Sequence, residues 1–382
     1  MLPADHEDLF QYPSRIRQAA SLLDGAGLDA LVITHLPNIL YLCGLDASSA
    51  VAVLIRDPHL HVLSDGRYAA ALEQQADIVG RNLLTPLVLD TSAWAGAAAN
   101  CIRNNAGTVV GIEADSLPVA AARRLEEELG GTATLRHAPD LVEGLRRVKD
   151  ADELAILREA GARLSDVARR LLADRVVTVG RSESDVAAEV DHRVRLAGFS
   201  RPAFETIVAS GPNSALPHAR PTSRRIEAGD PVVLDFGGVF RRYCVDLTRT
   251  LCPGGASSSL DRMHEAVAAA QRAAIAAVGP GVEPEAVDAA ARSVLTAAGL
   301  GAAFGHGTGH GLGLEVHEAP RVGQARPGLA PAPRLEPGVV CTIEPGAYVV
   351  GMGGVRIEDD VAVTATGYER LTDVPLEWPS SH

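Results

Sequence analysis

The chain has 382 residues, of which 47% are hydrophobic and 22% charged, and its formal net charge is −13. This length allows two domains with real cores, and the acidic balance disfavours nucleic acid and anionic membranes as main partners. The N-terminal segment 1–18 lacks an apolar signal-peptide core, and no stretch approaches the roughly 20 apolar residues of a membrane span. Five scattered cysteines form no CxxC pair, which predicts reduced thiols in a cytoplasmic protein.

The first 140 residues alternate between predicted strands and helices. A helix over 15–26 ends at Gly27, a buried strand follows over 28–34, and Pro37 with Asn38 predicts a turn. Further strands are predicted over 51–55, 60–63 and 108–112, and further helices over 67–75 and 117–129. This alternation predicts a small α/β domain, and the segment contains neither a phosphate-binding loop nor a GxGxxG motif.

The pattern changes near residue 140, where a long run of apolar residues at helical spacing begins. We therefore place the domain boundary here, with domains over 1–141 and 142–382. Helices are predicted over 182–197, 260–278 and 284–298, and strands over 204–209, 231–237, 243–251, 339–343, 347–350 and 355–363. The second half is thus predicted to be α+β, with hairpins and segregated helices.

The glycine-rich stretch 304–320, FGHGTGHGLGLEVHEAP, carries three histidines. His306 and His310 have the i, i+4 spacing of a helical metal site, but glycine at every other position makes a helix improbable. An extended strand would place His306, Thr308 and His310 on one face. Four strand residues span roughly 13 Å, so we expect only one histidine ligand here, with the other histidines in different roles. The alternative is a glycine-rich loop with surface histidines.

Two acidic pairs fall on predicted hairpins. A fold about Phe240 and Arg241 would place Asp235 directly opposite Asp246, with their β-carbons roughly 5 Å apart. Two carboxylates this close repel each other unless a proton or a cation lies between them. The alternative is that the aspartates are ordinary turn residues.

The second pair is formed by Glu344 and Glu358, which oppose each other if the chain folds about Gly351. Arg356 lies two residues before Glu358, on the same face, and is predicted to orient it. Four carboxylates and one imidazole would suit two hard or borderline divalent ions such as Mn²⁺, Co²⁺ or Fe²⁺ better than a thiolate-bound zinc. Solvated glutamates are the alternative interpretation.

Five motifs occur in the order VVLDFGG, CVDLTRT, HGTGHGLGLEVHEAP, EPG and GVRIEDD. In these motifs the chain resembles the metal-dependent X-Pro peptidases of the pita-bread (creatinase/aminopeptidase) fold, the M24-type metallopeptidases. The resemblance covers most of 142–382, and SGPNSALPH and VKDADELAILREA extend it upstream. It implies a small N-terminal creatinase-like α/β domain followed by a C-terminal pita-bread catalytic domain.

Carried over by motif, the resemblance implies a dinuclear metal site and a set of residues around it. The ions are expected to be Mn²⁺, with Co²⁺, Fe²⁺ or Zn²⁺ as alternatives, and to share a hydroxide that attacks the peptide carbonyl. Glu344 is expected to transfer the proton, His317 to stabilise the oxyanion, and His218 to bond the substrate. Thr248 is expected to support the site, and His306 to be structural or to line the pocket. The implied metal ligands are Asp235, Asp246, His310, Glu344 and Glu358, and the implied substrate-binding residues are His218, His317, Arg321 and Arg356.

The resemblance implies hydrolysis of X-Pro bonds, and the preferred interpretation is an X-Pro dipeptidase (prolidase). Arg321 favours it because the free carboxylate of a dipeptide needs a cation. The alternative is aminopeptidase P, which releases the first residue of longer X-Pro peptides. The long N-terminal domain disfavours methionine aminopeptidase, and the complete ligand set disfavours both a creatinase-like metal-free hydrolase and a metal-free binding protein. The resemblance also implies a homodimer.

Overall fold

The computed structural model describes residues 10–90, 92–105, 107–138, 140–328 and 331–376. The chain divides into two compact units that meet at the Arg146–Arg147 bond. The limit predicted between residues 141 and 142 lies at the start of the helix Leu141–Arg147. Residues 1–9 of the acidic N-terminal segment lie outside the described residues. Within those residues, no helix combines the length and the apolar character needed to cross a membrane.

The N-terminal unit is built on a mixed sheet with strand order β4-β3-β2-β1-β5-β6. Strand β1 pairs parallel with β5 and antiparallel with β2, so the sheet continues on both sides of a fully buried centre. The strands are β1 Ala30–Ile33, β2 Ala50–Ile55, β3 His59–Ser64, β4 Leu84–Val88, β5 Val109–Ile112 and β6 Thr134–His137, and the helices are α1 Tyr12–Ala26, α2 Leu36–Cys43, α3 Ala69–Val79, α4 Trp94–Asn104, α5 Val119–Leu129 and α6 Leu141–Arg147. The predicted α/β character of this unit is confirmed.

Helix α2 occupies the position where Pro37 and Asn38 predicted a turn, so that prediction is wrong. Pro37 lies in the first turn of the helix. A backbone N–H at this position makes no intrahelical hydrogen bond, so proline loses none there, and its fixed φ suits helical geometry. The helix ends at Gly44, which adopts a φ of 77°. Pro-Asn marks a helix start here because the following apolar residues pack into the core.

The long helical pattern near residue 140 forms two helices, α6 and α7 (Ala151–Ala173), with a break at 148–150. Asp150 caps α7, and its carboxylate accepts hydrogen bonds from the backbone N–H groups of Asp152 and Glu153. The Glu153 carboxylate in turn accepts from the Asp150 backbone, which completes a capping box. This capping chemistry starts a new helix inside a continuous apolar pattern.

The C-terminal unit consists of strands in separate sheets and long helices packed on them. One sheet has the order β10-β9-β7 with β8 also paired to β9, the second has the order β12-β11-β13-β16-β17, and β14 and β15 form a two-stranded ribbon. The strands are β7 Arg201–Pro202, β8 Ile207–Ser210, β9 Val232–Phe240, β10 Tyr243–Leu251, β11 Gly309–Gly311, β12 Glu318–Val322, β13 Val340–Ile343, β14 Gly346–Val349, β15 Gly353–Arg356, β16 Asp359–Val363 and β17 Tyr368–Arg370, and the helices are α7, α8 Glu183–Leu196, α9 Ser258–Ala277 and α10 Pro284–Ala297. Helices α9 and α10 share one apolar core with residues of the second sheet and the ribbon. The predicted α+β class is confirmed.

The β9–β10 hairpin turns one residue later than predicted. Each β9 residue therefore pairs with a β10 residue two positions further along the chain than expected. Arg241 and Arg242 form the turn with φ values of 46° and 76°, the left-handed pair that a two-residue hairpin requires. Asp235 therefore lies opposite Thr248, and Asp246 lies opposite Gly237. The prediction that Asp235 directly opposes Asp246 is wrong, but a shift of two residues keeps both side chains on the same face.

The hairpin centred on Gly351 has the predicted register. Ile343 pairs with Asp359, and Gly346 pairs with Arg356, so both ladders are symmetric about residue 351. The ladder is interrupted between them, at Glu344 and Glu358. At this interruption the Glu344 N–H donates to the Thr308 carbonyl, 2.7 Å away, and the Glu358 N–H donates to the Thr248 carbonyl at 3.1 Å.

Between Phe304 and His317 the chain forms one short strand, since β11 covers three residues, Gly309–Gly311. The longer strand predicted through His306 is wrong. A β-carbon at Gly309 or Gly311 would overlap the carbonyl oxygens of Thr342 and Ala319, respectively. These glycines are required because neighbouring backbones press against them on both sides.

Gly161 in the middle of α7 tests how closely the helix is packed. Its β-carbon would overlap the Leu371 carbonyl oxygen, so Gly161→Ala is expected to lower the free energy of unfolding by about 1–3 kcal/mol. The control is Gly25→Ala in α1, where nothing lies within 4 Å, and which should raise stability by up to about 1 kcal/mol. Denaturant unfolding measures both, and equal effects would contradict the packing argument.

Candidate active site

One cavity in the C-terminal unit, with a volume of about 550 Å³, is lined by all nine residues that the sequence singled out for the site. The carboxylates come from β9, β10 and the two sides of the interrupted hairpin ladder, and the imidazole comes from β11. The nine residues are Asp235, Asp246, His310, Glu344, Glu358, His218, His317, Arg321 and Arg356. Strands from both sheets and the ribbon thus converge on one polar space.

A subset of these residues has the geometry of a metal site. One possible ligand atom from each of Asp246, His310 and Glu358 lies within 4.8 Å of the other two. Oδ1 of Asp235 and Oε1 of Glu358 are buried and have no hydrogen-bond partner. An unpartnered buried carboxylate oxygen is destabilising unless a cation or a proton compensates it, so the donor set fits divalent cations.

Electrostatic repulsion among the carboxylates is visible in their pKa values. Burial, together with the neighbouring Glu358 and Asp235, raises the pKa of Asp246 well above its usual range. Burial and then Glu344 and Asp235 raise the pKa of Glu358 in the same direction. Burial also raises the pKa of Asp235, although the Arg356 guanidinium opposes this. Bound cations would favour the ionised forms and reverse these shifts.

His310 and Glu344 form a hydrogen-bonded pair, with Nε2 of the histidine 3.2 Å from Oε1 of the glutamate. Burial lowers the pKa of His310, but the Glu344 carboxylate outweighs burial and holds it above the usual value. Burial conversely raises the pKa of Glu344, and the bond to His310 outweighs it, so that the pKa is lowered. Nδ1 of His310 lies 3.0 Å from the Gly311 carbonyl, which leaves Nε2 facing the carboxylates.

Arg356 has a different partner from the one predicted. Its guanidinium bonds Oδ2 of Asp235 rather than Glu358, and it also donates to the Tyr348 hydroxyl at 2.8 Å and to the Pro217 carbonyl at 3.1 Å. The prediction that Arg356 orients Glu358 is therefore wrong. The reason is the interrupted ladder, because β15 ends at Arg356 and Glu358 lies beyond it, bonded to Thr248 instead.

Thr248 is the residue that holds Glu358. Its hydroxyl donates to Oε2 of Glu358 at 2.5 Å, which leaves Oε1 as the unpartnered oxygen. Thr248 also lies opposite Asp235 in the hairpin. The expected supporting role of this residue thus has a specific contact, made to a carboxylate that is distant in sequence.

Sequence reasoning missed Asp360, which is fully buried beside the site. Its Oδ2 accepts a hydrogen bond from the Asp246 backbone N–H at 2.9 Å, and its Oδ1 has no partner. Burial raises the pKa of Asp360 well above its usual range. The run of acidic residues in GVRIEDD was the available signal, but the sequence does not show that the preceding residue, Asp359, faces Arg249 instead.

The residues before His310 are held by α10. Asp288 of that helix is buried and accepts hydrogen bonds from both the backbone N–H and the hydroxyl of Thr308. Arg292, paired with Asp288, donates to the carbonyls of Phe304 and His306. His306 faces the cavity wall with Nε2 3.0 Å from the Tyr348 hydroxyl, which agrees with its expected pocket-lining role. Tyr348 was not predicted.

The exposed His218 lies in a loop whose two ends are held by one buried carboxylate. Glu183, at the start of α8, accepts hydrogen bonds from the backbone N–H groups and the hydroxyls of Ser210 and Thr222 and from the Asn213 amide. Sequence reasoning did not identify Glu183, because a glutamate in the first turn of a helix is normally solvated. Its contacts show that it organises the loop that carries His218.

His317 and Arg321 lie on the exposed side of the cavity. The His317 ring packs edge-on against the His310 ring, with 4.3 Å between centroids. Burial and then the nearby His310 lower the pKa of His317, which favours a neutral imidazole. Arg321 donates to the Gln324 carbonyl at 2.8 Å and is otherwise exposed, so its guanidinium remains accessible from the cavity.

Two family profiles match the chain. The profile of metallopeptidase family M24 matches residues 155–365, and that of the creatinase/prolidase N-terminal domain matches residues 15–148. The chain belongs to metallopeptidase family M24, and the predicted resemblance is confirmed. It is accordingly a metal-dependent peptide hydrolase that uses divalent cations.

Similar proteins include peptidases whose names give a substrate class. An Xaa-Pro dipeptidase of Pyrococcus horikoshii is 32% identical over 363 residues, which cover 95% of this chain and 98% of that protein. The structure of an Xaa-Pro dipeptidase from Bacillus anthracis is similar with a TM-score of 0.88 and 32% identity, covering 96% of this chain and 99% of that one. An X-Pro aminopeptidase from Thermotoga maritima is similar with a TM-score of 0.79 and 29% identity, covering 92% and 97%.

Glu183→Gln tests the anchor of the His218 loop. The amide nitrogen would face N–H and hydroxyl donors that now bond a carboxylate, so the free energy of unfolding is expected to fall by about 3 kcal/mol. The hydrogen bonds from Thr222 and Ser210 outweigh burial and lower the pKa of Glu183. Its stabilisation is therefore present above the usual glutamate pKa and is lost as the pH falls through the lower folded-state pKa.

Glu189→Gln on the same helix is the control for that substitution. Glu189 is half-exposed and pairs with Arg193, so its loss should change stability by less than about 1 kcal/mol. Denaturant unfolding at neutral pH and again near pH 4 compares the two variants. Equal losses at neutral pH would mean that Glu183 does not hold the loop.

Proposed function

We propose that this protein hydrolyses the X-Pro peptide bond and acts as an X-Pro dipeptidase. The observation that carries the proposal is a cluster of carboxylates, two of them with buried unpartnered oxygens, which lines the same cavity as four histidines and an accessible arginine. The names of the Pyrococcus horikoshii and Bacillus anthracis relatives support the same substrate class. X-Pro dipeptides are accordingly the proposed substrates.

We infer that five side chains hold two divalent ions, with Mn²⁺ as the proposed native metal. The proposed ligands are Asp235, Asp246, His310, Glu344 and Glu358, and the oxygen-rich set favours manganese or a similar borderline ion over a thiolate zinc site. When bound, such a pair of ions would polarise the substrate carbonyl and lower the pKa of water to near neutrality. Asp360 would fix the Asp246 backbone, and Thr248 would aim the free oxygen of Glu358 at the cavity.

The remaining chemistry belongs to the side chains of the chain itself. Glu344 is proposed to accept on its carboxylate a proton from the water that attacks the peptide carbonyl, and to pass it to the leaving imino nitrogen as the C–N bond breaks. The neutral His317 imidazole can donate a hydrogen bond to the developing oxyanion. His218 can form a hydrogen bond to the substrate from the loop that Glu183 holds. Arg356 is buried and bonds Asp235. We therefore propose that it acts mainly by holding Asp235 and less by binding the substrate.

Arg321 is proposed to bind the free carboxylate that a dipeptide carries next to the scissile bond. Its position in the cavity wall and its accessible guanidinium support this role. Aminopeptidase P activity on longer peptides is the second candidate, which the similarity to the Thermotoga maritima X-Pro aminopeptidase favours. A cytoplasmic homodimer remains a prediction from the sequence.

Hydrolysis of Ala-Pro and Ala-Pro-Ala by the protein, first stripped of metal and then given Mn²⁺, distinguishes the candidates. Metal-dependent cleavage of the dipeptide alone is expected. Preference for the tripeptide would identify aminopeptidase P instead. Cleavage of neither peptide, together with no bound metal, would leave a metal-free binding protein on the same fold.

Arg321→Met is expected to raise KM for Ala-Pro by roughly 10–100-fold, because a charge-assisted bond to the substrate carboxylate would be lost. The control is Arg326→Met in the following loop, which does not line the cavity and should leave KM unchanged. Steady-state kinetics measure both variants. An unchanged KM in Arg321→Met would remove the carboxylate-binding role.

Thr248→Val removes the hydroxyl that holds Glu358 and should weaken Mn²⁺ binding by about 10–100-fold. Thr206→Val is the matched control, since its hydroxyl donates to the Asp191 carboxylate at 2.6 Å on the side of α8. Calorimetric titration of metal-free protein with Mn²⁺ measures the affinity. Equal affinities in the two variants would show that Thr248 does not act on the metal ligand.

A further inference from the structure

The chain contains a single lysine, Lys149, and this lysine is buried. Its Nζ lies 3.2 Å from Oε2 of Glu318, and the side chains of the pair are 1% and 6% exposed. Removing two charges from water is costly, and a buried ion pair often contributes less to stability than apolar residues of the same size. Stability alone therefore does not account for this buried pair.

Glu318 is the residue next to His317 and closes the loop that carries it. Gly311 pairs with Glu318 across the β11–β12 hairpin, so residues 312–317 form the connecting loop. Oε1 of Glu318 accepts a hydrogen bond from the Glu315 N–H at 3.0 Å, inside this loop. The Glu318 carboxylate thus bonds the loop with one oxygen and Lys149 with the other.

The loop is packed closely around the ion pair. A β-carbon at Gly313 would lie 2.7 Å from Oε2 of Glu318 and 3.0 Å from Cε of Lys149. The Gly313 carbonyl accepts from the Cys244 N–H of β10 at 2.7 Å. The loop therefore rests on the ion pair on one side and on the carboxylate-bearing hairpin on the other.

Lys149 itself is held by the backbone. Its N–H donates to the Gly338 carbonyl at 2.9 Å, and the preceding Val148 bridges Val339. The residue after it, Asp150, caps α7. The backbone of Lys149 is thus fixed between the start of α7 and the residues that lead into β13, the strand that precedes Glu344.

We propose that Lys149 and Glu318 are positioning residues that fix the 312–317 loop and thereby hold the His317 ring against His310. The inference rests on the proposed function, in which His317 acts at the scissile bond. The ion pair touches neither substrate nor metal, and it acts only through the placement of the imidazole. Misplacement of a catalytic group by about 1 Å is enough to lower the rate by about 100-fold.

The test is a double-mutant cycle on the Mn²⁺-loaded protein with Ala-Pro as substrate. Lys149→Met is expected to lower kcat on the order of 100-fold while metal content stays unchanged. Combined with His317→Ala, it should lower kcat by less than about twofold beyond His317→Ala alone, because both changes remove the same interaction. Effects that multiply, or full activity in Lys149→Met, would overturn the proposal.

Arg147→Met is the matched control, two residues earlier in the chain. Arg147 pairs with Glu336 at 2.7 Å, and that glutamate is 55% exposed, so kcat should be unchanged. If Lys149→Met does not fold, Glu318→Gln takes its place in the cycle, since it removes the charge and keeps the shape. An unchanged kcat in Glu318→Gln would equally overturn the proposal.

Two further readouts do not depend on peptidase activity. Acetylation of the folded protein should leave Lys149 unmodified, whereas acetylation in denaturant should modify it, and rapid modification of the folded protein would contradict the buried pair. In the protein loaded with diamagnetic Zn²⁺, the NMR signal of the His317 ring should shift in Lys149→Met and not in Arg147→Met. An unshifted signal would overturn the inference, whereas inactive wild-type protein with the expected shift would overturn only the proposed function.

Discussion

The concentration of acidic side chains in one buried space is the constraint on which the C-terminal unit depends. Burial and neighbouring carboxylates raise the pKa values of Asp235, Asp246, Glu358 and Asp360, whereas the bond to His310 outweighs burial and lowers that of Glu344. Burial of like charges is unfavourable unless cations or fixed donors compensate it. The surrounding arginine, threonine and histidine contacts compensate part of this charge, and the unpartnered oxygens mark the part left for divalent ions.

The scaffold places these groups at interruptions in regular structure. Glu344 and Glu358 lie where one hairpin ladder breaks into two sheets, and their N–H groups bond the Thr308 and Thr248 carbonyls instead of each other. His310 lies in a three-residue strand whose glycines admit neighbouring backbones. The backbone N–H groups at the interruption of the ladder are thus satisfied by other elements, although the site is not part of one continuous sheet.

A second layer of side chains holds the loops that surround the cavity. Glu183 bonds both ends of the His218 loop, and Asp288 bonds Thr308 before His310. Lys149 and Glu318 do the same for the loop before His317. Each anchor is a buried charged group, and two of them, Glu183 and Asp288, belong to helices that pack outside the sheets. The proposed substrate chemistry depends on this layer as much as on the carboxylates.

The sequence by itself determined the class of each unit, most helices and strands, and nine of the residues that line the cavity. Motif order and alternation carry this information because they reflect local periodicity and side-chain chemistry. It did not determine that Asp235 faces Thr248, that Arg356 bonds Asp235, or that Pro37 starts a helix. Those outcomes depend on a left-handed Arg241–Arg242 turn, on a broken ladder and on core packing. Only the tertiary structure decided them, because a backbone turn, a bond between residues 121 positions apart and burial in the core each depend on the folded chain.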